Sequence, residues 1–475
     1  MKRFAYAILL VSTVLVPANA QVTFIDSQAD AIESLLTDKF GDSNSGMVIG
    51  LIDEHGRRVF SSGKLDNDTN RHVDGDTLFE IGSVTKIFTV LLLQDSVRRG
   101  ELQFDEPVES FLSDSVTMPS YNGKKISLLN LAVQDSGLPH FPDNLSDKPL
   151  GELPLKNIKE FSDAYTVEDM YRFLSSYKLP QEPGESFQYS NVGMALLGHV
   201  IEKRTGKTYE CLVVDRICHP LNMKSTLITL NPELKSRLAR GHWLDGEQSE
   251  HIDFQAFASA GSLLSTANDL LHFLSANLGI RQVELTPLLA NMQVNRHKGS
   301  PQFGRTAMPW VDNGVYNPPG SELLGHSGGG LGTIAFIAID KKKRRGVVVL
   351  TNQMKVYPNG IGWTLLQGMP LSAENISYAV REVTGVGFAL GKDEKTGQVH
   401  VSRVFPKSPA GRAGITVGLL LQEVDGNAIE GKTLAECLGL LKGPDGKSVQ
   451  LTFLDPSANK PLAVKLTREK FLTTS

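Results

Sequence analysis

Apolar runs rich in β-branched residues lie early and late in this 475-residue chain, with helical patterns between them. The early run Gly46–Ile52 has the character of a buried strand, and Arg58–Phe60 begins its return partner after a short turn. The late runs Thr333–Ile339 and Val347–Thr351 flank the basic residues 341–346. We interpret those basic residues as a solvated hairpin turn rather than a patch for anionic surfaces. Early and late strands around a helical middle predict an α+β fold, an antiparallel sheet with helices packed around it.

Helical periodicity predicts five helices before the last strands. Their ranges are Ala29–Phe40, Ile87–Arg99, Val167–Leu179, Met194–Thr205 and Asn268–Asn277. The segment 141–164 is rich in Pro, Asp and Lys, and it predicts a long surface loop.

The pattern changes near the C-terminus, and the chain is too long for one ordinary core. Short strands and glycine-containing turns begin after Gly368-Met369-Pro370. We place a domain boundary between Pro370 and Arg381, which separates a domain over residues 21–372 from one over residues 380–472.

The N-terminus has the features of a secretory signal peptide. Lys2 and Arg3 precede an apolar run over residues 4–16, and Ala18-Asn19-Ala20 forms a small-x-small cleavage site. That run is short of the ~20 apolar residues of a membrane-spanning helix. We therefore predict cleavage of residues 1–20, a periplasmic or secreted protein, and no membrane span afterwards.

Charge and cysteine content exclude several other classes. A net charge of −4 gives no reason to expect a nucleic-acid partner. The three cysteines, Cys211, Cys218 and Cys437, cannot build a disulfide scaffold, and we expect them free and buried. Cys211 and Cys218 could pair only if the chain turned between them. The sequence offers no Cys/His cluster with metal-ligand spacing, so no metal or cofactor is predicted.

Ser83 is the leading candidate for a nucleophile. It lies three residues before Lys86, at the start of a strongly apolar helix. Side chains three apart share a helix face, and a helix N-terminus favours negative charge. A lysine held there can take the proton of a serine or stabilise its alkoxide. The same tetrapeptide spacing also begins at Ser61, Ser175 and Ser457, but only Ser83 begins a long apolar helix.

A second candidate element follows the turn Pro183-Gly184 and precedes another apolar helix. It contains Tyr189 and Asn191, a phenol and an amide that could handle protons and bind a substrate amide. We expect neighbouring lysines to lower the pKa of Tyr189. Two alternatives stay open: Asn191 as an ordinary helix N-cap, and the second Tyr-x-Asn match at Tyr357.

A third element combines a histidine with consecutive glycines. His326 precedes Gly328, Gly329 and Gly330, and a strand follows directly. Glycines allow backbone to approach a ligand closely. A phosphate loop would need a lysine and a following helix, and this segment has neither. Strand-edge N–H groups beside His326 suit a carboxylate or a developing oxyanion.

The order Ser83-x-x-Lys86, Tyr189-x-Asn191, His326-x-Gly328 resembles the serine β-lactamase-related family. That family holds class C β-lactamases, D-alanyl-D-alanine carboxypeptidases, D-aminopeptidases and esterases. The resemblance covers roughly residues 46–363 and implies a β-lactamase/transpeptidase-like fold. Three phrases also support it: Gln134-Asp135-Ser136-Gly137-Leu138-Pro139, Pro220-Leu221-Asn222-Met223 and Ala260-Gly261-Ser262-Leu263-Leu264-Ser265-Thr266-Ala267-Asn268-Asp269-Leu270.

The resemblance also implies a role for each matched residue. Ser83 would be acylated with Lys86 as its proton partner, and Tyr189 would be the general base. Asn191 would hold Lys86 and the substrate amide. His326 would face the substrate carboxylate, Gly328 would keep the strand open, and the N–H groups of Ser83 and Gly329 would form the oxyanion hole.

His326 departs from the lysine that many relatives carry. A neutral imidazole attracts a carboxylate less than an ammonium does, and we expect it to titrate near neutrality. We therefore rank D-amino-acid peptide or ester hydrolysis above dedicated β-lactam hydrolysis. Asp135 stands where relatives often have His or Thr, and it is expected to add negative charge near the entrance.

The last hundred residues are similar to a PDZ domain, a small mainly-β fold. Gly385, Val386, Gly387 and Phe388 would form its carboxylate-binding loop, and a helix is predicted around residues 434–441. The resemblance implies that this module binds a peptide or protein C-terminus as an added strand. A structural appendage with an unused groove is the alternative.

These elements predict an exported acyl-serine hydrolase acting on a peptide, ester or β-lactam-like substrate. Two alternatives remain at this stage. One is a β-lactamase proper, and the other is a catalytically silent penicillin-binding-like scaffold. The presence of Ser83, Lys86, Tyr189 and His326 together favours an enzyme.

Overall fold

The computed structural model describes residues 23–145, 164–294, 296–300, 304–312, 322–372, 380–393, 396–405, 408–456 and 460–474. The predicted signal peptide and most of the predicted loop 141–164 lie outside these residues. Within the described ranges, none of the helices combines the length and apolar character needed to span a membrane. Contacts divide the chain into two compact units, residues 1–376 and 377–475.

The first unit contains a mixed set of strands and helices. Its strands are β1 (Gly46–Asp53), β2 (Gly56–Gly63), β3 (Phe79–Glu80), β4 (Leu264–Ser265), β5 (His297–Ser300), β6 (Gly304–Thr306), β7 (Val311–Asp312), β8 (Leu323–Gly329), β9 (Ile334–Asp340) and β10 (Arg345–Thr351). Its α-helices are α1 (Phe24–Phe40), α2 (Thr85–Arg98), α3 (Leu128–Ala132), α4 (Val167–Ser176), α5 (Asn191–Thr205), α6 (Tyr209–Val213), α7 (His219–Leu221), α8 (Pro232–Ser236), α9 (Ala258–Gly261), α10 (Ala267–Asn277), α11 (Thr286–Met292) and α12 (Pro358–Gln367).

Eight strands form one antiparallel sheet in the order β2-β1-β10-β9-β8-β7-β6-β5. Because side chains alternate between the faces of a strand, β1 contributes to two cores. Met47, Ile49 and Leu51 pack with α1 and α12 on one face, whereas Val48 and Ile52 belong to the larger core on the other face. The sheet therefore lies between a two-helix layer and a helical region, as the α+β prediction requires.

Helix α2 is the centre of the larger core. Every residue from Thr85 to Ser96 is buried, including Lys86. A helix that is apolar on all sides requires neighbours on all sides, and α5, α6, α9 and α11 all contact it. This central position fixes the start of α2, and with it Ser83, in a rigid environment.

The sequence predicted the main strands and helices closely. The predicted helix Ile87–Arg99 corresponds to α2, and the predicted strand Val347–Thr351 to β10. The basic residues form the β9–β10 turn, where Arg344 adopts φ 51°. All three cysteines are free, as predicted, but Cys211 is exposed rather than buried.

The second unit is mainly β and has its own apolar core. Its elements are β11 (Val380–Gly385), β12 (Phe388–Lys392), β13 (Val399–Val404), α13 (Pro409–Arg412), β14 (Leu420–Val424), β15 (Asn427–Ala428), α14 (Leu434–Leu441), β16 (Ser448–Asp455), β17 (Lys460–Thr467) and β18 (Glu469–Thr474). The main sheet has the order β12-β13-β14-β16-β17, β15 pairs with β14, and β11 pairs with β18.

Candidate active site

Ser83 lies on a tight turn between strand β3 and helix α2. Residues Gly82–Val84 form a 3-10 turn, and the α-helix starts at Thr85. Gly82 adopts φ 47°, which is the left-handed region that glycine enters without steric cost. Ser83 stays partly exposed while its neighbours on both sides are buried. The turn therefore presents one hydroxyl to solvent at a helix N-terminus.

Lys86 contacts Ser83 directly. Its Nζ lies 2.8 Å from Ser83 Oγ and donates to the Ala260 carbonyl oxygen at 2.7 Å. Burial lowers the pKa of Lys86 well below its ordinary value, because the charged form loses its hydration. A lysine with a lowered pKa can hold a neutral amine near neutral pH and accept the proton of Ser83.

The loop that carries Tyr189 is held by the segment Gln134–His140. Ser190 caps α5 by accepting from the Gly193 N–H at 2.8 Å, and its own hydroxyl donates to the Pro139 carbonyl at 2.8 Å. The Ser190 N–H donates to Gln134 Oε1 at 2.5 Å. Residues 134–139 therefore support the Tyr-x-Asn element directly, because Gln134 and Pro139 both hydrogen-bond to Ser190.

Tyr189 completes a three-residue cluster with Ser83 and Lys86. Its hydroxyl hydrogen-bonds with Ser83, and Lys86 Nζ lies 5.0 Å from its ring centroid. Desolvation raises the pKa of Tyr189 above its ordinary value and outweighs the opposing effect of the Ser83 hydrogen bond. The predicted lowering of this pKa was therefore wrong, because desolvation of the buried phenol raises the pKa. Tyr189 is a protonated phenol near neutral pH.

Asn191 is the first residue of α5, and the helix N-cap is Ser190 instead. The Asn191 N–H donates to the His140 carbonyl at 3.1 Å. Among the described residues, the hydrogen-bond partners of Lys86 Nζ are Ser83 and Ala260. Asn191 is therefore not among the described hydrogen-bond partners of Lys86, and the predicted contact between them is not made.

His326 lies on β8 with its ring centroid 6.5 Å from that of Tyr189. Its Nδ1 is 2.7 Å from the Ser327 carbonyl oxygen. Burial, followed by the charge on Lys86, lowers the pKa of His326 to about 4. The expected titration near neutrality was wrong, because the ring is buried beside a lysine.

Glycines bring the end of β8 against the turn that carries Ser83. A Cβ atom on Gly328 would lie 2.7 Å from the Ser83 amide nitrogen, nearer than side chains normally approach. A Cβ on Gly82 would lie 2.6 Å from the Gly329 amide nitrogen. Among the described residues, β7 pairs with β8 at Gly325, and β8 pairs with β9 along its whole length. The backbones of Ser83 and Gly329 are thus close neighbours.

Glu80 supports the glycine segment and was missed in the sequence. Its buried carboxylate accepts from the Leu331 N–H at 3.2 Å and from Thr333 Oγ1 at 3.1 Å. His251 Nδ1 lies 2.7 Å from the other carboxylate oxygen. A Cβ atom on Gly330 would collide with this carboxylate. Glu80 therefore fixes the loop that follows Gly329.

His140 is a second missed residue. Its ring meets that of Tyr189 edge-on, with centroids 5.4 Å apart, and the residue is exposed. The signal that could have identified it is its position directly after the phrase at residues 134–139.

Asp135 does not lie at the entrance, contrary to the sequence prediction. Its side chain is buried, and Oδ1 accepts from Asn130 Nδ2 at 2.8 Å. Its backbone carbonyl accepts from the Gly184 N–H at 2.9 Å. Asp135 therefore stabilises the loop before Tyr189 through the hydrogen bond that its backbone carbonyl accepts from Gly184.

The competing motif matches lie elsewhere in the fold. Ser61 is on β2, and Ser175 is one residue from the end of α4. Tyr357 precedes α12, whose buried side packs on the sheet face opposite α2. The match at Ser457 lies outside the described residues. Among the described matches, Ser83 is the one that meets a Tyr-x-Asn element.

In the second unit, residues Gly385–Phe388 connect β11 to β12. Gly387 adopts φ 90°, and its carbonyl accepts from Ser408 Oγ at 3.0 Å and from the Phe405 N–H at 3.0 Å. Strand β12 is an edge of the main sheet and contacts α14. On that helix, Leu438 is 39% exposed.

Comparisons with known proteins identify the family of the chain. The Beta-lactamase family matches residues 34–366 of the chain. The D-alanyl-D-alanine-carboxypeptidase/endopeptidase AmpH of Escherichia coli is 26% identical over 325 residues, which cover 66% of this chain and 81% of that relative. A beta-lactamase of Pseudomonas fluorescens is 27% identical over 243 residues, covering 50% of this chain and 62% of that relative.

Solved structures give the same result for the fold. A class C beta-lactamase from Rhodobacter sphaeroides superimposes with a TM-score of 0.58 at 25% identity, covering 72% of this chain and 98% of that one. A beta-lactamase/D-alanine carboxypeptidase from Yersinia pestis gives 0.58 at 22% identity, covering 72% and 99%.

Proposed function

The chain belongs to the Beta-lactamase family of serine hydrolases, and from this premise we propose that it cleaves amide or ester bonds through an acyl intermediate on Ser83. The observation that carries the proposal is the contact of Ser83 Oγ with a fully buried lysine 2.8 Å away. A buried amine beside an exposed serine at a helix N-terminus is the arrangement of an activated nucleophile.

In the acylation step, the unprotonated form of Lys86, which its lowered pKa favours, takes the proton of Ser83 as Oγ attacks the substrate carbonyl carbon. The carbonyl oxygen gains the negative charge of the tetrahedral intermediate. The N–H groups of Ser83 and Gly329 are the proposed hydrogen-bond donors to that oxygen. Loss of one such donor lowers the rate of catalysis by about 10²–10³-fold.

When the intermediate collapses, the leaving group needs a proton. We assign this donation to Tyr189, because its raised pKa keeps the phenol protonated near neutral pH. Lys86 can then return a proton to the phenolate across the cluster. In deacylation the Lys86 amine takes a proton from the attacking water, the tetrahedral intermediate expels Ser83 Oγ, and Lys86 gives that proton to Oγ as the product leaves.

For the substrate class we propose D-amino-acid peptides or esters. The relatives named above include a D-alanyl-D-alanine-carboxypeptidase/endopeptidase and a beta-lactamase, so β-lactams are a second candidate class. The predicted signal peptide supports action in the periplasm or outside the cell.

A substrate panel tests this proposal. Initial rates with p-nitrophenyl acetate, a chromogenic cephalosporin and a D-alanyl-D-alanine peptide are compared between the wild type and Ser83→Ala. We expect turnover of the ester or the peptide, and a loss of at least 10³-fold in the variant. Equal rates in both proteins would contradict a serine mechanism, and dominant cephalosporin turnover would favour the β-lactamase alternative.

For the second unit we propose PDZ-like binding of a peptide C-terminus. The supporting features are the open edge of β12, the adjacent apolar helix α14 and the Gly385–Phe388 loop. A peptide can extend a sheet at such an edge. Fluorescence anisotropy of full-length Ser83→Ala with a peptide library should find ligands whose affinity falls at least tenfold on C-terminal amidation. Equal affinity of acid and amide forms would argue for a structural appendage.

A further inference from the structure

Gln134 holds the backbone on both sides of Tyr189. Its carbonyl oxygen accepts from the Gln188 N–H at 2.7 Å, and its side-chain Oε1 accepts from the Ser190 N–H at 2.5 Å. An N–H group needs an acceptor, so the Gln134 amide must turn its oxygen, not its nitrogen, toward Ser190. One residue therefore fixes both the residue before the phenol and the residue after it.

Gln134 makes these contacts at a cost to stability. It is 2% exposed and adopts φ 64°, the left-handed region that residues other than glycine rarely enter. Among the described residues, its Nε2 has no hydrogen-bond partner, although that nitrogen is buried. An apolar side chain of the same length would avoid the unpartnered nitrogen, but it would leave the Ser190 N–H without its acceptor. Backbone outliers of this kind are concentrated at functional sites.

The contacts of Tyr189 indicate which step depends on its position. Its hydroxyl hydrogen-bonds with Ser83, and Lys86 Nζ lies 5.0 Å from its ring centroid. A proton donor must lie within hydrogen-bond reach of the atom that receives the proton. A misplacement of about 1 Å costs on the order of 10²-fold in rate. Proton donation by Tyr189 is therefore sensitive to small movements of residues 188–190.

We propose that Gln134 is a positioning residue for the proton transfer from Tyr189 to the leaving group. The proposal rests on the hydrolase function above and on the role given there to Tyr189. As the tetrahedral intermediate collapses, the bond from the carbonyl carbon to the leaving atom breaks, and that atom keeps the electron pair. The Tyr189 O–H gives its proton to that atom and becomes a phenolate. Gln134 acts on this step only through the backbone of residues 188 and 190.

This role predicts an effect that depends on the leaving group. p-Nitrophenolate leaves as a stable anion and needs no proton, whereas 4-nitrobenzyl alkoxide is strongly basic and must be protonated as it leaves. p-Nitrophenyl acetate and 4-nitrobenzyl acetate therefore form a matched pair of similar size. Both give the same acetyl-enzyme, so kcat/KM compares their acylation steps.

The test variant is Gln134→Met, which keeps the length of the side chain and removes the acceptor for Ser190. We expect kcat/KM to fall at least tenfold for the 4-nitrobenzyl ester and less than threefold for the p-nitrophenyl ester. A smaller folded fraction lowers both rates by the same factor, so the ratio of the two rates is read from the molecules that fold. Equal falls, or unchanged rates for both esters, would overturn the proposal.

Gln134→Glu is the conservative variant, because it retains a side-chain oxygen that can accept from Ser190. We expect its ratio of the two rates to lie within threefold of the wild-type ratio. A ratio like that of Gln134→Met would overturn the role of the side-chain oxygen. Gln134→Met decides by itself if Gln134→Glu does not fold.

Gln181→Met is the matched control. Gln181 Nε2 donates to the Ser186 carbonyl at 2.9 Å, and Gln181 Oε1 accepts from Ser186 Oγ at 2.6 Å. It therefore supports the same loop three residues before Tyr189. We expect this variant to keep the wild-type ratio within threefold. A shift as large as that of Gln134→Met would show that general loosening of the loop is sufficient, and it would overturn the specific role of Gln134.

Tyr189→Phe separates this proposal from the function on which it rests. We expect it to shift the ratio at least as far as Gln134→Met does. A shift in Tyr189→Phe without one in Gln134→Met would overturn only the role of Gln134. A wild-type ratio in Tyr189→Phe would overturn the assignment of Tyr189 as the proton donor, and with it this proposal.

Discussion

Gly328→Ala tests whether the turn at Ser83 and the end of β8 must touch for catalysis. The new Cβ would lie 2.7 Å from the Ser83 amide nitrogen and nearer still to the Ile81 carbonyl oxygen. Both atoms are main chain, so no flexible side chain can yield. The Ile81 carbonyl oxygen would be 1.9 Å away, so restoring an ordinary contact of about 3.4 Å requires the two segments to separate by roughly 1.5 Å.

That separation moves the Ser83 N–H away from the position of the substrate oxygen. A misplacement of about 1 Å costs on the order of 10²-fold in rate, and loss of an oxyanion donor costs about 10²–10³-fold. We therefore expect the second-order rate constant for fluorophosphonate acylation to fall at least 10²-fold in Gly328→Ala. Overpacking in a buried strand should also lower the free energy of unfolding by about 1–3 kcal/mol.

The assay is fluorescence-gel acylation kinetics at 25 °C, with urea unfolding to show that the variant is folded. Gly329→Ala is the comparison, because a Cβ there meets no atom within 4 Å. We expect it to lose less than about tenfold, since the backbone N–H is retained. Acylation of folded Gly328→Ala within threefold of the wild-type rate would refute the reasoning.

Three further predictions concern Lys86, His326 and the cysteines. Lys86→Arg should reduce fluorophosphonate acylation at least about 10²-fold, because a guanidinium stays protonated and cannot take the serine proton; wild-type acylation by the variant would contradict the role of Lys86. Burial lowers the pKa of His326 from 6.5 to about 4, so the unfolded state binds a proton in that window that the folded state does not. Stability should therefore fall as the pH decreases from 6.5 to 4, by about 3 kcal/mol from His326 alone, and urea unfolding of His326→Gln should show a correspondingly smaller decrease. An Ellman titration should find one fast thiol, Cys211, in the native protein and three after denaturation, and Cys211→Ser should lack the fast phase.

Much of the first unit could be predicted from local pattern. The apolar β-branched runs that became β1, β9 and β10 are continuous because both faces of the sheet are covered. The start of α2 was visible because an apolar helix follows Ser83 directly. These features depend on residues that are adjacent in the sequence, so they can be predicted from one amino-acid sequence.

The unpredicted parts depend on contacts between distant residues. Glu80 supports residues 331 and 333 across a gap of 251 residues or more, and no local pattern marks that role. Lys86 donates a hydrogen bond to the backbone carbonyl oxygen of Ala260. Every residue has a backbone carbonyl, so the type of residue at position 260 does not indicate this contact. The wrong expectations for the pKa values of Tyr189 and His326 have one cause: burial, which depends on the packed fold, is the largest effect on both pKa values.

The most direct test of the central claim is intact-protein mass spectrometry of the acylated enzyme followed by peptide mapping. The full-length protein is incubated with a fluorophosphonate or a fluorescent penicillin, quenched in acid and digested. We predict one adduct per chain on the peptide that contains Ser83, and none in Ser83→Ala. An adduct on another residue, or equal modification of Ser83→Ala, would contradict the assignment of Ser83 as the nucleophile.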